Sequence, residues 1–168
     1  MVLIVNTTED TEVTRNLEEK LSSEKKEFEI IEASGMKISN CTGCNLCWLK
    51  TPGICAIKDD YNEILKKIVK ADQLWMISDT AFGFIDHKGK NIFDRIVPIL
   101  LMFLEFRGDQ MRHILRYDKR TDVGVLYRGK GDREYLSRWN NRVASNIDSR
   151  ALGVFPVQEW KEAAACMQ

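Results

Sequence analysis

The sequence predicts an α/β fold in which a doubly wound, five-stranded parallel sheet carries helices on both faces. Short apolar runs recur along the chain and are typical of strands that a parallel sheet buries on both sides. Between these runs, apolar residues spaced three or four apart are typical of helices that pack on a sheet. Strands joined by helices run parallel with right-handed crossovers, and five of them favour the strand order 2-1-3-4-5.

The predicted strands and helices alternate along the chain. We predict strands at residues 2–5, 28–31, 74–77, 123–127 and 152–157. We predict helices at residues 13–21, 60–70, 90–106 and 134–147, and a short helix at the end of the chain. The segment 90–106 has the pattern of one long, largely buried helix that Pro98 kinks. Residues 108–121 are polar and rich in arginine, so we expect an excursion there rather than a core element.

The composition is that of an ordinary globular protein, and we expect one domain over residues 1–168. Hydrophobic residues make up 44% and charged residues 30%, and the formal net charge of zero argues against nucleic-acid binding. The opening MVLIVN lacks a basic start and is too short for the apolar part of a signal peptide. The longest apolar run, 96–106, is too short to cross a bilayer. We therefore expect a cytoplasmic protein with no nucleic-acid or membrane partner.

Four of the five cysteines lie in one short stretch, which we call the cysteine loop, residues 40–58. Cys41, Cys44, Cys47 and Cys55 have the spacing C-x2-C-x2-C-x7-C, and the two-residue gaps let successive thiolates point to one place. Thiolates so arranged suit an iron–sulfur cluster or a zinc ion. A reducing compartment favours metal binding or redox activity over structural disulfides. Reduced thiols in a packed loop are the second interpretation, and a disulfide between Cys47 and Cys55 or a reactive thiol is the third.

Three loops follow strands at the same edge of the predicted sheet. They are residues 6–11 after the first strand, 78–84 after the third and 128–132 after the fourth. In a doubly wound sheet, ligands bind beyond the carboxyl ends of the strands, at the point where the strand order reverses. We therefore expect a ligand site where these loops meet, with the cysteine loop leaving the second strand at the same edge.

Three segments carry a resemblance to a known family. They are CTGCNLC at 41–47, TPGICAIKDD at 51–60 and KNIFDR at 90–95. With these segments and the loops in this order, nearly the whole chain resembles the flavodoxin-like NAD(P)H-dependent FMN reductases and, within them, the iron–sulfur flavoproteins. The resemblance implies bound FMN, reduction by NADH or NADPH, a homodimer or homotetramer, and a [4Fe–4S] cluster whose metal ligands are Cys41, Cys44, Cys47 and Cys55.

The resemblance also implies which residues contact the FMN. From the first loop they are Thr7, Thr8, Thr11 and Thr14. From the second loop they are Ser78, Asp79, Thr80, Ala81, Phe82 and Gly83, and from the third they are Arg128, Gly129, Lys130 and Gly131. Backbone donors of the second and third loops would position the flavin ring. No side chain is needed as a catalytic acid or base, because the hydride chemistry belongs to the cofactor.

The first loop departs from the family's usual pattern, which is close to G-S-P-R-x-x-G-x-T. The threonine hydroxyls remain, but the glycines and the proline are missing, and Glu9, Asp10 and Glu12 add negative charge. A carboxylate about 5 Å from a phosphate dianion costs on the order of 1 kcal/mol or more at an effective dielectric constant near 20. We therefore expect FMN to bind more weakly than in relatives whose phosphate loop is intact.

The excursion at 108–121 carries arginine and tyrosine, which are enriched at protein interfaces. As the resemblance suggests, we expect it to reach across a two-fold axis toward a partner's flavin site. The residues predicted to do so are Arg112, His113, Arg116, Tyr117 and Arg120.

Asp59 and Asp60 stand at the start of the helix predicted at 60–70. Carboxylates at such a position cap the first turn and interact favourably with the helix dipole. We therefore interpret both residues as caps rather than as catalytic acids.

The functional prediction is an FMN-dependent NAD(P)H oxidoreductase or electron-transfer flavoprotein. Two alternatives stay open. The acidic first loop suits a flavodoxin-like protein that has lost its cofactor and works as a binding or regulatory module. The cysteines suit a protein that binds metal with them alone.

Overall fold

A parallel sheet lies at the centre of the computed structural model, which describes residues 1–168. The eight strands are β1 (Val2–Asn6), β2 (Phe28–Glu32), β3 (Gln73–Ala81), β4 (Phe84–Ile85), β5 (Leu100–Arg107), β6 (Gln110–Leu115), β7 (Asp122–Arg128) and β8 (Ala151–Pro156). The parallel sheet contains β1, β2, β3, β7 and β8, which correspond to the five predicted strands. The short β4 pairs antiparallel with β3, while β5 and β6 form a separate antiparallel hairpin.

Helices cover both faces of the sheet. They are α1 (Glu12–Ser23), α2 (Leu46–Leu49), α3 (Tyr61–Ile68), α4 (His87–Asp94), α5 (Arg133–Asn146) and α6 (Trp160–Cys166), with single 3-10 turns at Val97–Ile99 and Val157–Glu159. The core on one face contains side chains of α3, α4 and α5, and the core on the other contains those of α1 and α6. None of these helices combines the length and the apolar character that a membrane crossing requires.

The strand order is β2-β1-β3-β7-β8, and neighbours along this path run parallel. In chain-order numbering this differs from the predicted 2-1-3-4-5, because the sequence analysis missed β4, β5 and β6, which lie between β3 and β7. Val5 of β1 lies beside Ile31 of β2 and Met76 of β3. The order reverses between β1 and β3, so the loops after these two strands stand where such sheets bind ligands.

The helix predicted at 90–106 is observed only as far as Asp94, and the rest of that prediction is wrong. The observed α4, His87–Asp94, begins where the Asp86 carboxylate accepts a hydrogen bond from Gly89 N–H at 3.0 Å. Pro98 then stands in a 3-10 turn, since proline has no N–H with which to continue a helix. The following apolar run forms β5, whose side chains are mostly exposed. An apolar run by itself does not distinguish a strand from a buried helix, and here it favoured the wrong one.

The β5–β6 hairpin replaces both the end of the predicted helix and the start of the predicted excursion. Two of the residues expected to reach a partner contact their own chain instead. Arg112 donates to the Ser145 hydroxyl at 3.0 Å, and Arg120 pairs with Asp148 at 2.5 Å. These contacts fix the hairpin against the end of α5.

The other three excursion residues lie against the cysteine loop or beside it. The His113 ring is 5.1 Å from the Trp48 ring, measured between centroids. The Tyr117 hydroxyl and the Arg116 side chain lie so close to Gly53 that a Cβ there would stand 2.7 Å from the hydroxyl. These side chains therefore support the cysteine loop of their own chain, and an oligomeric contact stays a prediction.

Candidate functional site

The three loops predicted to form a ligand site meet at the carboxyl edge of the sheet. Thr7 N–H donates to the Ile77 carbonyl at 2.9 Å and joins the first loop to the end of β3. Thr80 Oγ1 donates to the Arg128 carbonyl at 2.9 Å and joins the second loop to the third. The structure thus brings together the loops to which the FMN contacts were assigned.

A set of salt bridges spans these loops, and we call Asp10, Asp79 and Arg128 the loop triad. Arg128 Nε lies 2.6 Å from Asp79 Oδ1, and Arg128 Nη1 lies 3.2 Å from Asp10 Oδ2. The hydrogen bond to Asp79 is the main reason that the pKa of Arg128 is raised; burial opposes this, and the negative charges of Asp79 and Asp10 add to it. The one arginine of the predicted FMN contacts is therefore already neutralised by two carboxylates.

The hydroxyl groups of the first loop bond within the protein. Thr7 Oγ1 donates to the Ile77 carbonyl at 3.0 Å, and Thr8 Oγ1 donates to Asn6 Oδ1 at 2.8 Å. The same Asn6 oxygen accepts the Thr8 N–H at 3.0 Å. Both threonines are buried. Neither of these two hydroxyls is presented to an incoming ligand.

The start of α1 is also occupied by its own residues. The Asp10 carboxylate accepts a hydrogen bond from Glu12 N–H at 2.9 Å, which is the kind of bond that a phosphate makes at a helix N-terminus. Thr14 Oγ1 donates to the Thr11 carbonyl at 3.0 Å, and the Thr11 side chain makes no capping hydrogen bond. A carboxylate therefore already occupies one donor at the start of α1, and its negative charge makes the first loop a poor fit for a phosphate.

The second loop presents an aromatic ring to solvent. Ser78 Oγ is turned inward, and its single hydrogen is shared between the Asp79 carbonyl and Asp86 Oδ1, at 2.9 and 3.1 Å. Ala81 and Phe82 are exposed, and Phe82 is fully so. Its φ of +53° is a left-handed conformation that costs a residue with a Cβ roughly 1–2 kcal/mol. Such strain concentrates at functional sites, and an exposed ring at this edge suits stacking on a planar ligand.

The third loop is a tight turn that its glycines allow. Gly129 has φ +98°, and a Cβ there would stand 2.7 Å from Thr80 Oγ1. A Cβ on Gly131 would stand 2.6 Å from the Tyr127 ring. Lys130 between them is exposed. Close packing with the protein's own atoms accounts for both glycines. Gly83 pairs with Gly131 in an isolated bridge. The contact of these three glycines with a flavin stays a prediction.

All four predicted metal ligands line one cavity. The cavity has a volume of about 130 Å³, and its wall contains Cys41, Cys44, Cys47 and Cys55. All four are free thiols, the first two exposed and the other two half-buried. Trp48 and Arg95 complete the wall on the inner side. The four cysteines therefore share one cavity, and their role as metal ligands stays a prediction.

Local backbone features give the cysteine loop its shape. Gly43 and Asn45 have φ of +64° and +58°, so the chain turns sharply between the first three cysteines. The Asn62 side chain holds Cys55 from both sides: its Oδ1 accepts Cys55 N–H at 3.2 Å, and its Nδ2 donates to the Cys55 carbonyl at 3.1 Å. Trp48 Nε1 donates to the Leu100 carbonyl at 3.0 Å, which ties the loop to the start of β5.

Arg95 stands beneath the cavity and its side chain is fully buried. Its Nη1 donates to Asp59 Oδ2 at 2.6 Å and to the Ser39 carbonyl at 3.1 Å, and its guanidinium lies 4.4 Å from the centre of the Tyr61 ring. Burial opposes its charge, but Asp59 and the nearby Cys55 outweigh this and raise the pKa of Arg95. Its Nε and Nη2 are buried and have no hydrogen-bond partner of ordinary geometry.

The interpretation of Asp59 and Asp60 as helix caps needs correction. Asp60 is the residue before α3, but its carboxylate makes no bond to that helix and accepts Lys37 N–H at 2.7 Å. Asp59 Oδ1 does accept Tyr61 N–H at 3.2 Å, while Oδ2 accepts Ser39 N–H at 2.8 Å and pairs with Arg95. Both aspartates therefore hold the two ends of the cysteine loop together.

The cysteines differ in acidity. Burial raises the pKa of Cys47, and the neighbouring charges of Cys55, Cys44 and Cys41 raise it further. Hydrogen bonds from the Leu46 backbone and, to a smaller extent, the Thr42 side chain lower the pKa of Cys44, against a smaller effect of burial. Cys47 therefore lies near enough to the other three cysteines for negative charge on them to disfavour its own thiolate. A bound cation would relieve this repulsion.

Comparison with known proteins tests the resemblance stated from the sequence. No family model matches the chain. An iron–sulfur flavoprotein of Methanocaldococcus jannaschii is 36% identical over 83 residues, which are 49% of this chain and 42% of that protein. An iron–sulfur flavoprotein of Archaeoglobus fulgidus is 35% identical over 98 residues, which are 56% of this chain and 47% of that protein.

The predicted resemblance is confirmed. It covers about half of this chain, and the matched part is less than half of each of these iron–sulfur flavoproteins.

Solved structures confirm the flavodoxin-like α/β fold. The NAD(P)H:quinone oxidoreductase from Methanothermobacter marburgensis superposes with a TM-score of 0.64 over 97% of this chain and 96% of that one, at 14% identity. The Megasphaera elsdenii flavodoxin superposes with a TM-score of 0.51 over 98% of each chain, at 12% identity. At these identities the likeness concerns the fold alone.

Two features of the site were not singled out from the sequence. Arg95 lies in the matched segment KNIFDR and Asp59 in TPGICAIKDD, but nothing in either segment shows that the two side chains form a pair. The loop triad was missed in the same way, since Arg128 was assigned to a flavin contact and Asp10 to an unfavourable charge beside the phosphate. In both cases the signal present was a charged residue beside a predicted site, and its partner was far along the chain.

Proposed function

We propose that this protein is an oxidoreductase of the iron–sulfur flavoprotein type that transfers electrons between NADH or NADPH and an acceptor. The observation that carries the proposal is that Cys41, Cys44, Cys47 and Cys55 line one cavity beside a buried arginine. These four cysteines would hold a [4Fe–4S] cluster. When bound, a flavin supplies hydride transfer and a cluster supplies one-electron transfer, which is why the two occur together.

The cavity suits a cluster better than a single metal ion. A zinc ion needs each sulfur within about 2.3 Å of one point. No three cysteine, histidine, aspartate or glutamate side chains converge closely enough in this chain to share one ion. In a [4Fe–4S] cluster each cysteine binds a different iron, so the sulfurs stand farther apart around a common space. The four cysteines share a cavity but do not converge on one point, and this fits a cluster rather than a single ion.

The carboxyl edge of the sheet fits the ring of a flavin but not its 5′-phosphate. The exposed ring of Phe82 and the joined second and third loops offer a surface for a planar ring. The first loop does not fit the 5′-phosphate, because Asp10 already bonds the start of α1 and neutralises Arg128. The flavin part of the proposal therefore rests on the ring surface and on the resemblance, and not on a phosphate site.

A second candidate follows from the loop triad. If its salt bridges keep flavin out, the chain works with the cysteine-bound group alone or as a binding or regulatory module. The salt bridges of Arg128 with Asp79 and Asp10 are the specific support for this candidate, because they link the three loops without any ligand. The candidate differs from the first in requiring no flavin.

The visible spectrum of protein purified without oxygen separates these functions. The proposed function predicts the two visible absorption bands of a flavin on top of a broad brown shoulder from a cluster. The shoulder without the bands would support the cysteine-only candidate. If the flavin bands are present, chromatography of the flavin released on denaturation identifies it as FMN or riboflavin. A spectrum with neither feature, after anaerobic addition of iron, sulfide and flavin, would contradict the proposed function.

A further inference from the structure

Arg95 is a buried cation whose hydrogen bonding is incomplete. Only Nη1 has partners, the Asp59 carboxylate and the Ser39 carbonyl. The Nε and Nη2 donors are buried and have no hydrogen-bond partner of ordinary geometry, although the Cys55 side chain lies near enough to interact with the guanidinium. A buried charged donor left unsatisfied is costly. Native proteins rarely leave such groups unsatisfied, so these two donor nitrogens call for an explanation.

The place of Arg95 in the cavity wall supplies that explanation. The same cavity is lined by all four cysteines of the cysteine loop. Asp59 balances the charge of Arg95 one for one but bonds only Nη1. The remaining donors are therefore available to something in the cavity that accepts hydrogen bonds and carries negative charge. Thiolate sulfurs, and the sulfide of a bound cluster, have both properties.

We propose that Arg95 is a positioning residue whose Nε and Nη2 donate hydrogen bonds to the sulfur atoms of the group bound by the four cysteines. This inference rests on the proposed function, since it needs an anionic cluster in the cavity. Hydrogen bonds to sulfur and nearby positive charge both favour the more negative, reduced form. Arg95 therefore raises the reduction potential of the bound cluster. Asp59, which holds the guanidinium in place, acts through it.

The test is the reduction potential of the iron-loaded protein, followed spectroscopically in an anaerobic redox titration. Replacing Arg95 alone would leave the Asp59 carboxylate buried without its countercharge, so the main variant is Asp59→Asn with Arg95→Gln. It removes both charges of the pair and keeps the side-chain size. We expect this double variant to shift the potential downward by at least about 59 mV, which is a tenfold change in the ratio of oxidised to reduced protein for one electron.

Two further variants make the result specific. Asp122→Asn with Arg150→Gln makes the same two substitutions in a more exposed salt bridge of 2.7 Å, whose residues do not line the cysteine cavity. This control should leave the potential unchanged. Arg95→Lys keeps the charge but not the planar set of donors, and should retain iron with a smaller downward shift. Circular dichroism checks that each variant is folded.

A lower potential in the double variant, or loss of iron from a folded double variant while Arg95→Lys keeps it, would support the inference. Equal iron content and equal potential in the wild type and the double variant would overturn it and leave the cluster intact. If the double variant does not fold, Arg95→Lys decides: a potential equal to that of the wild type would overturn the role of the N–H groups. Wild-type protein that takes up no more iron than a Cys44→Ser variant would overturn the proposed cluster as well.

Discussion

Single side chains set the charge of the two candidate sites. Arg95 is fully buried, and two of its donors have no partner, although Asp59 balances its charge. Arg128 is 41% exposed and already lies between Asp10 and Asp79. The cysteine cavity therefore offers donors to an anionic group, whereas the carboxyl edge of the sheet offers a cation that is already neutralised.

The loop triad makes a prediction about flavin affinity. Asp10→Asn removes a negative charge from the place of the phosphate and leaves Arg128 less neutralised. We expect FMN to bind about fivefold more tightly, from a gain of about 1 kcal/mol, while riboflavin affinity stays the same. Fluorescence titration measures both constants. Glu12→Gln, in the first turn of α1, is the matched control. It should change FMN affinity less than Asp10→Asn does, since Glu12 makes no salt bridge with Arg128. Wild-type protein that binds FMN far more tightly than riboflavin would contradict this account.

Phe82 allows stability to be separated from binding. Its ring is fully exposed, so removing it loses no packing, while its left-handed backbone suits asparagine better than phenylalanine. We expect Phe82→Asn to raise the free energy of unfolding by roughly 0.5–1 kcal/mol and to weaken flavin binding. Lys25→Asn, at φ +55°, is the control: it should stabilise similarly without affecting the flavin. Denaturant unfolding and flavin titration of both variants provide the check, and a destabilised Phe82→Asn protein would count against the argument.

The sequence identified residues whose chemistry is local and missed those whose role depends on a distant partner. The four cysteines could be recognised as one group because they lie within fifteen residues of one another. The pairing of Arg95 with Asp59, 36 residues apart, exists only because the cysteine loop and α4 pack together. The same holds for Arg128 and Asp10, which are 118 residues apart. A charged side chain in a sequence does not show which other charge it will meet.

At the scale of secondary-structure elements, Asp59 joins the cysteine loop to α3 and α4. Burial is the largest single effect on Asp59 and raises its pKa, but the hydrogen bonds from Arg95 and the Ser39 backbone, with the charge of Arg95, together outweigh it and lower the pKa. A carboxylate whose pKa falls on folding stabilises the protein above its unfolded pKa of about 3.9, and this stabilisation is lost as the pH falls through the lower folded value.

This gives a pH-dependent prediction for Asp59→Asn. At pH 7 the variant should lose about 3 kcal/mol of stability, because a buried Arg95 then lacks its countercharge. Below pH 4 the wild type loses the same contribution, so the difference should shrink as the pH falls. Urea unfolding from pH 2.5 to 7 measures it. Asp122→Asn, whose partner Arg150 is 82% exposed, should cost no more than about 1 kcal/mol. If the stability difference between the wild type and Asp59→Asn grows toward low pH, the pairing of Asp59 with Arg95 is not what stabilises the protein.

The β5–β6 hairpin is the part of the chain whose secondary structure was predicted wrongly. Its apolar residues resembled a buried helix, yet most of them face solvent. Those at least half exposed are Met102, Phe103, Leu104, Phe106 and Met111. Exposed apolar surface is typical of interaction sites, so the hairpin's apolar residues, rather than its arginines, are the better candidates for the predicted oligomer contact.

Sedimentation velocity tests that assignment. We expect wild-type protein to be a dimer or larger at micromolar concentration, and we expect Phe103→Ser with Phe106→Ser to shift it toward the monomer. Leu49→Ser removes an equally exposed apolar side chain, 63% against 62% for Phe103, outside the hairpin, and should not change the oligomeric state. A wild-type monomer at that concentration would remove the oligomer hypothesis altogether.

At the scale of the whole molecule, the alternation of strands and helices was enough to predict the doubly wound sheet. β1, β3 and β7 are buried on both faces, so their continuous apolar runs were easy to recognise. The two faces of the sheet and the meeting of the three loops followed from that alternation. What did not follow was the hairpin between β3 and β7, because its exposed apolar strands depart from the usual link between hydrophobicity and burial.

The central claim is that the cysteine loop holds a [4Fe–4S] cluster, and iron content tests it most directly. After anaerobic reconstitution and desalting, we predict about four iron atoms and four sulfides per chain in the wild type. Cys44→Ser should lose the iron while circular dichroism stays native, because Cys44 lies in an exposed loop. Cys166→Ser is the matched control, since this cysteine lies in α6 and away from the cavity, and should keep the iron. Wild-type protein with no more iron than Cys44→Ser would contradict the claim.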